Sequence, residues 1–179
     1  MGKVLDSIDD ELTAWIARQP VFFVATSPLA ADGHVNCSPK GGDSFRVLGP
    51  AEVAYLDYTG SGVETVAHLK ENGRIVIMFC AFDGKPQILR LYGTGTVVTI
   101  GEPGFDDLAS HFPANPGSRA VVRVSVERVF SSCGFSIPLM DFRENRDILD
   151  KWAEAKGPDR LEQYRKTKNT HSIDGLPAF

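Results

Sequence analysis

The chain is poor in the residues that build metal centres and disulfide frameworks. Its 179 residues hold three cysteines, Cys37, Cys80 and Cys133, with no CxxC pair. An odd number at wide spacing excludes a disulfide scaffold and a thioredoxin-like redox pair. Each cysteine sits in or beside an apolar run, so each is expected as a small buried hydrophobe in a reducing, cytoplasmic setting. The four histidines lack the short spacings of shared ligation, so no metal site is expected. Positive charge is not in excess: 19 Lys and Arg stand against 23 Asp and Glu, a net charge of -4. A general nucleic-acid binder would carry a basic face, so no nucleic-acid partner is expected. The stretch Arg160, Arg165, Lys166 and Lys168 is read as an exposed helix face instead. No apolar run approaches the roughly 20 residues of a membrane span. The N-terminus is acidic where a signal peptide would be basic and apolar, so no membrane partner is expected either.

What is present suits one folded unit over residues 1–179, with a hydrophobic fraction of 42% and a charged fraction of 23%. Ile8, Leu12, Trp15 and Ile16 fall on one helical face, with Ser7 and Asp10 as a capping pair and Pro20 as the stop. This helix is expected to cover one opening of a barrel. Strand signals follow at Val21 to Ser27, and Asp32-Gly33 predicts a hairpin turn leading into His34 to Ser38. Glu52 to Tyr58 is a further strand. Gly62 to Asn72 reads as a short helix stopped by Gly73. Arg74 to Phe82 is nearly all apolar and is expected as a central strand buried on both faces. Pro86 to Ile100 carries Gly93 and Gly95, which suggest a bend or bulge. Gly104 to His111 is a predicted helix. In Arg119 to Phe130, Val122, Val124 and Val126 alternate with Arg123, Ser125 and Glu127, one face in and one out. Glu144 to Lys156 reads as a helix with Ile148, Leu149 and Trp152 on one side. Gly157-Pro158 breaks it before a second helix over Asp159 to Lys168. Too few helices separate the strands for a parallel α/β sheet. The chain is therefore mainly β with flanking helices, a closed or split β-barrel over residues 20–131 with C-terminal helices and a tail over 141–179.

Several strand ends carry small polar or basic residues. Ser38 and Lys40 close one strand, before Gly41-Gly42. Tyr58-Thr59-Gly60-Ser61-Gly62 immediately precedes the short helix, where free N–H groups and the helix dipole favour an anion. Thr65 lies one turn inside. Gln87 and Arg90 lie on the strand after the central one. Together they could seat a phosphate of about -2 charge and point to a phosphorylated cofactor such as flavin mononucleotide, FMN. Taken singly, the turn can be an ordinary turn, Lys40 a solvated charge, and Arg90 the partner of a carboxylate across the sheet. This is neither a Walker loop nor a dinucleotide fingerprint.

The order of these elements resembles the pyridoxamine 5'-phosphate oxidase-like family of flavin-binding split barrels. The resemblance covers residues 5 to 130. Its marks are Asn36-Cys37-Ser38-Pro39-Lys40, Val53 to Tyr58, the turn and helix from Gly60 to Leu69, Asn72-Gly73-Arg74, and Gln87-x-x-Arg90-x-x-Gly93. It implies an FMN-binding split β-barrel and a homodimer with the cofactor at the subunit interface. It also implies cofactor-binding roles for Ser38, Lys40, Tyr58, Thr59, Ser61, Thr65, Gln87 and Arg90. Two departures set the chain apart from true pyridoxamine-phosphate oxidases. Val63-Glu64-Thr65 stands where they carry a second basic residue. Helices and the tail His171 to Phe179 replace their C-terminal strand with its Trp and Arg residues. Pyridoxamine phosphate is thus not the expected substrate. The Cys133-Gly134-Phe135-Ser136-Ile137-Pro138 and Ser172-Ile173-Asp174-Gly175-Leu176-Pro177 segments match an uncharacterised branch.

Flavin chemistry asks little of protein acids and bases, because the ring carries the electrons. No catalytic residue is therefore singled out. His34 is expected to be solvated, His68 to face the barrel and His111 to close a helix. His171 is placed on a tail that either reaches a flavin or docks Ile173, Leu176 and Phe179 for stability. The expected activity is FMN-dependent oxidoreduction of a small molecule. The rival is a flavin- or deazaflavin-binding carrier or sensor without turnover, and an empty barrel kept as a dimerisation scaffold is a third reading. Haem is an alternative cofactor, although no axial ligand stands out.

Overall fold

A computed structural model describes residues 2–179. Its centre is an eight-stranded antiparallel sheet curled into a half-barrel. The strands are β1 (Lys3–Leu5), β2 (Val21–Thr26), β3 (Asn36–Gly41), β4 (Phe45–Gly49), β5 (Glu52–Tyr58), β6 (Arg74–Cys80), β7 (Ile88–Thr99) and β8 (Ser118–Ser132). Seven run in the order β3-β2-β6-β7-β8-β5-β4, and β1 pairs with one end of β8. Four helices flank the sheet: α1 (Asp10–Ala17), α2 (Glu64–Asn72), α3 (Phe105–Ala109) and α4 (Ile148–Lys168).

The core forms because alternate strand residues point to one side. Val24, Val53, Tyr55, Ile77, Phe79, Leu89, Leu91, Val122 and Val124 are all buried on that side. Each such aliphatic side chain contributes roughly 1.5–3 kcal/mol relative to exposure. Phe22, Phe45 and Phe79 close an aromatic cluster, with centroids of the Phe22–Phe45 and Phe45–Phe79 pairs 5.0 Å apart. Helix α1 adds Leu12 and Ile16 to this core. Its cap is Asp9, whose carboxylate accepts from the Leu12 N–H at 2.8 Å, and not the expected Ser7–Asp10 pair.

Glu52–Tyr58 is the strand expected, and α2 ends at Gly73 as expected, with the Gly73 N–H donating to the Leu69 carbonyl. Val122, Val124 and Val126 are buried while Arg123, Ser125 and Glu127 are exposed. The bulge near Gly93 is present as a register shift between Tyr92 and Gly93. A Cβ on Gly93 would lie 2.0 Å from the Ser125 carbonyl oxygen, so only glycine permits this approach of β7 to β8.

Other expectations are corrected. Strands β1 and β4 add to those expected from the sequence. Asp32-Gly33 does not make a two-residue hairpin, because the β2–β3 pairing ends at Thr26↔Asn36 and residues 27–35 form the connection. β6 is not buried on both faces: Arg74 is exposed, and Val76 and Met78 are half-buried. Helix α4 starts at Ile148, not Glu144, and turns Ala153 and Leu161 inward while Ile148 and Leu149 stay exposed. Gly157, at φ 72 and ψ 168, breaks it where expected. Cys37 and Cys133 are exposed, so only Cys80 is a buried thiol. Among the described residues no helix is long and apolar enough to cross a membrane.

Candidate functional site

β3 is an edge strand, so Pro39 costs no ladder bond there. Its alternation puts Asn36, Ser38 and Lys40 on one face. Ser38 and Lys40 on that face line a cavity of about 1260 Å³. Ligand pockets commonly run to roughly 300–1,000 Å³, so this one has room for a large cofactor. Tyr58, Thr65 and the start of α2 line the same cavity, as do residues 140–146.

Four predicted residues therefore converge: Ser38, Lys40, Tyr58 and Thr65. Asn36 ties two of them together. Its amide donates to Thr65 Oγ1 at 2.9 Å, and its oxygen accepts from Ser38 Oγ at 3.1 Å. Thr59 and Ser61 occupy the turn but do not line the cavity. Thr59 is fully buried and accepts from Arg165 Nη1 at 3.2 Å, while Ser61 is exposed. Gln87 and Arg90 stand apart from the cavity. Gln87 donates to Ser131 Oγ at 3.2 Å and Arg90 to Ser132 Oγ at 3.1 Å, across β8.

Beneath Lys40 lies a buried charge cluster. Asp57 and Arg119 are 2% and 4% exposed. Asp57 accepts from Lys40 Nζ at 3.1 Å and from Arg119 Nε at 2.7 Å. Burial pushes the Asp57 carboxyl up, but Lys40 and Arg119 together outweigh it and hold it below the usual carboxylate range. Arg119 reaches this place through a β-bulge. Asp57 pairs with Ala120 and Tyr58 with Ser118, which leaves Arg119 as the extra residue on β8. Its guanidinium also donates to the Gly60 carbonyl at 3.3 Å and the Gly62 carbonyl at 2.7 Å.

The α2 N-terminus has no side-chain cap, and its first backbone bond runs from the Ala67 N–H to the Val63 carbonyl. The N–H groups of Glu64, Thr65 and Val66 thus fall within the unpaired first turn. Glu64 folds back so that its carboxylate accepts from the Val63 N–H at 3.0 Å. The cavity end near this turn holds two cations, Lys40 and Arg119, and two carboxylates, Asp57 and Glu64. It is an electrically balanced end with spare N–H donors. These atoms suit an anionic group such as a phosphate.

The tail docks by Ala178, Leu176 and Phe179 against α2, whereas Ile173 is exposed. Lys70 Nζ donates to the Ala178 carbonyl. His171 is exposed and bridges to Pro177 within the tail, away from the cavity lining. His34 is held by Asp174, which accepts from its backbone N–H at 2.8 Å and sits 2.6 Å from Nδ1. That hydrogen bond to Asp174 raises the His34 pKa. His68 is buried with Nδ1 3.0 Å from Thr26 Oγ1 and no partner for Nε2, and burial keeps it neutral to lower pH than usual.

Sequence reasoning missed Asp57, Arg119 and Asn169. A signal existed for the first two. Asp57 follows Val53-Ala54-Tyr55-Leu56 and Arg119 precedes Ala120-Val121-Val122, so each is a lone charge at the end of an apolar strand run. Opposite lone charges on two such strands suggest a buried pair.

Comparison with known proteins agrees with this architecture. The pyridoxamine 5'-phosphate oxidase family profile matches residues 8–133. The pyridoxamine 5'-phosphate oxidase family protein ustO of Aspergillus flavus is 41% identical over 191 residues, covering 97% of this chain and 76% of that protein. Among solved structures, HupZ of Group A Streptococcus aligns with a TM-score of 0.53 and 27% identity, over 68% of this chain and 91% of that one. A Lactobacillus delbrueckii protein, provisionally assigned as a pyridoxamine 5'-phosphate oxidase, aligns with a TM-score of 0.54 and 20% identity, over 71% of this chain and 98% of that one. The chain belongs to the pyridoxamine 5'-phosphate oxidase family and has its split-barrel fold.

Proposed function

We propose that this family member binds FMN and uses it as an oxidoreductase on a small molecule. The observation that carries the reading is the cavity that joins Ser38, Lys40 and Thr65 to the unpaired first turn of α2. Lys40 would supply a cation to the phosphate, and Thr65 with the first-turn N–H groups would supply donors. Tyr58 lines the wall beside them. Thr59 and Ser61 act from within the turn, Thr59 by fixing it to Arg165. Gln87 and Arg90 serve the cavity of a second copy, in a homodimer with its cofactors at the interface. The isoalloxazine, when bound, supplies the electron and hydride chemistry. This chain's residues would bind and orient it, with residues 140–146 forming part of the cavity wall. Two exposed thiols and a buried one suit a reducing cytoplasm.

Neither a deazaflavin nor haem gains support from a particular side chain here. Anaerobic mixing of the FMN-loaded protein with NADPH or NADH tests turnover. Bleaching of the flavin band is the expected result. A loaded protein that stays yellow with both reductants would favour the carrier or sensor.

A further inference from the structure

The segment after residue 133 lies outside the family match, yet it reaches the anion-facing turn from behind. We infer that Arg119 and Asn169 are positioning residues of the cofactor site, and that Asn169 to Phe179 forms part of the frame of that site. The inference rests on the flavin reading above.

A trans peptide unit holds its carbonyl and its N–H on opposite sides. The Gly60 carbonyl accepts from Asn169 Nδ2 at 2.8 Å and from Arg119 Nη1 at 3.3 Å. The Gly62 carbonyl accepts from Arg119 Nη2 at 2.7 Å. The N–H groups of those same two peptide units belong to Ser61 and Val63, so both point away from Arg119. On that outward side the Val63 N–H meets a carboxylate oxygen, that of Glu64, at 3.0 Å. The outward side therefore already accommodates an anionic oxygen. Two carbonyls that would repel a phosphate are turned inward and satisfied by a cation.

Arg119 holds this pose through partners on two sides. Asp57 takes its Nε, and Asn169 Oδ1 accepts from Nη1 at 2.9 Å. The Phe179 ring covers the guanidinium at 5.2 Å, and the Phe179 N–H donates to the Asn169 carbonyl at 3.2 Å. Asn169 is 0% exposed, so water cannot readily replace its amide. Asn169 thus acts through Arg119 and Gly60, which line the cavity, and does not line it itself.

Riboflavin and FMN differ only by the phosphate, so they separate a role in the turn from general loosening. Wild type and Asn169→Ala are titrated with each ligand by flavin fluorescence. The expected result is an FMN affinity lower by about tenfold or more with riboflavin affinity unchanged. Asn169→Asp keeps the acceptor for Arg119 but loses the donor to Gly60, and its FMN affinity is expected between the two. It also serves if the alanine variant does not fold. An equal loss for both ligands, or no loss for FMN, would overturn the inference and leave the flavin reading intact. A wild-type protein that binds neither ligand would overturn both.

Discussion

Two parts of the expected phosphate clamp met different fates. Around the α2 turn, Ser38, Lys40 and Thr65 share one cavity with a buried ion cluster behind it. Gln87, just before β7, and Arg90, on it, lie elsewhere and donate to serines of β8. The difference lies in topology. β3 and β5 are separated by four strands in the sheet order, and the curl of the half-barrel brings them together so that Lys40 meets Asp57, whereas β7 lies mid-sheet and its Arg90 turns to β8. Residues that look equivalent as strand-end polar groups can therefore belong to one site or to none within a single chain. In the proposed homodimer, Gln87 and Arg90 would reach the cavity of the second copy.

The largest expected effect breaks the buried half. Arg119→Ala leaves Asp57 as a buried carboxylate with only Lys40, and should cost about 3–5 kcal/mol of stability, read by urea unfolding. A loss under 1 kcal/mol would show that the cluster is solvated and interchangeable. The comparison is sharpened by Lys40→Ala and Arg90→Ala. Each should weaken FMN binding by about one to two decades, through loss of one charge-assisted contact of roughly 1.5–3 kcal/mol. Refolding the two variants together should restore some tight sites, because a mixed dimer has one intact cavity. Recovery absent from the mixture would place Arg90 outside any FMN site. The smallest effect concerns Glu64, whose carboxylate lies where the ligand's phosphate would compete. Glu64→Gln should raise FMN affinity several-fold while lowering α2 stability by about 0.3–1 kcal/mol, since a carboxylate favours a helix N-terminus. Affinity and stability moving together would count against competition.

Much of the barrel was legible because its signals are local. β5 and β8 show alternation, and α2 has a glycine stop. β4 was not legible, because all five of its residues are half-buried and give no alternation. β1 has three residues and depends on pairing with β8. In the site, Ser38, Lys40 and Thr65 were visible as polar groups at element ends. The placing of Arg119 was not, because a bulge aims it and a bulge is a property of two strands rather than of one. Asn169 was hidden for a similar reason. It follows a run of basic helix residues, and only the folding of α4 and the tail against the turn buries it. In sequence the tail fits either an active-site closure or a dock. Its observed contacts are those of a dock, except that Ile173 faces outward and Phe179 reaches Arg119.

The central claim is that the cavity at the α2 turn takes FMN. The visible absorption spectrum of the purified protein, recorded through a titration with FMN, tests it most directly. A flavin band that shifts on binding and saturates at one FMN per chain is the expected result. A spectrum that remains the sum of free FMN and protein would contradict it.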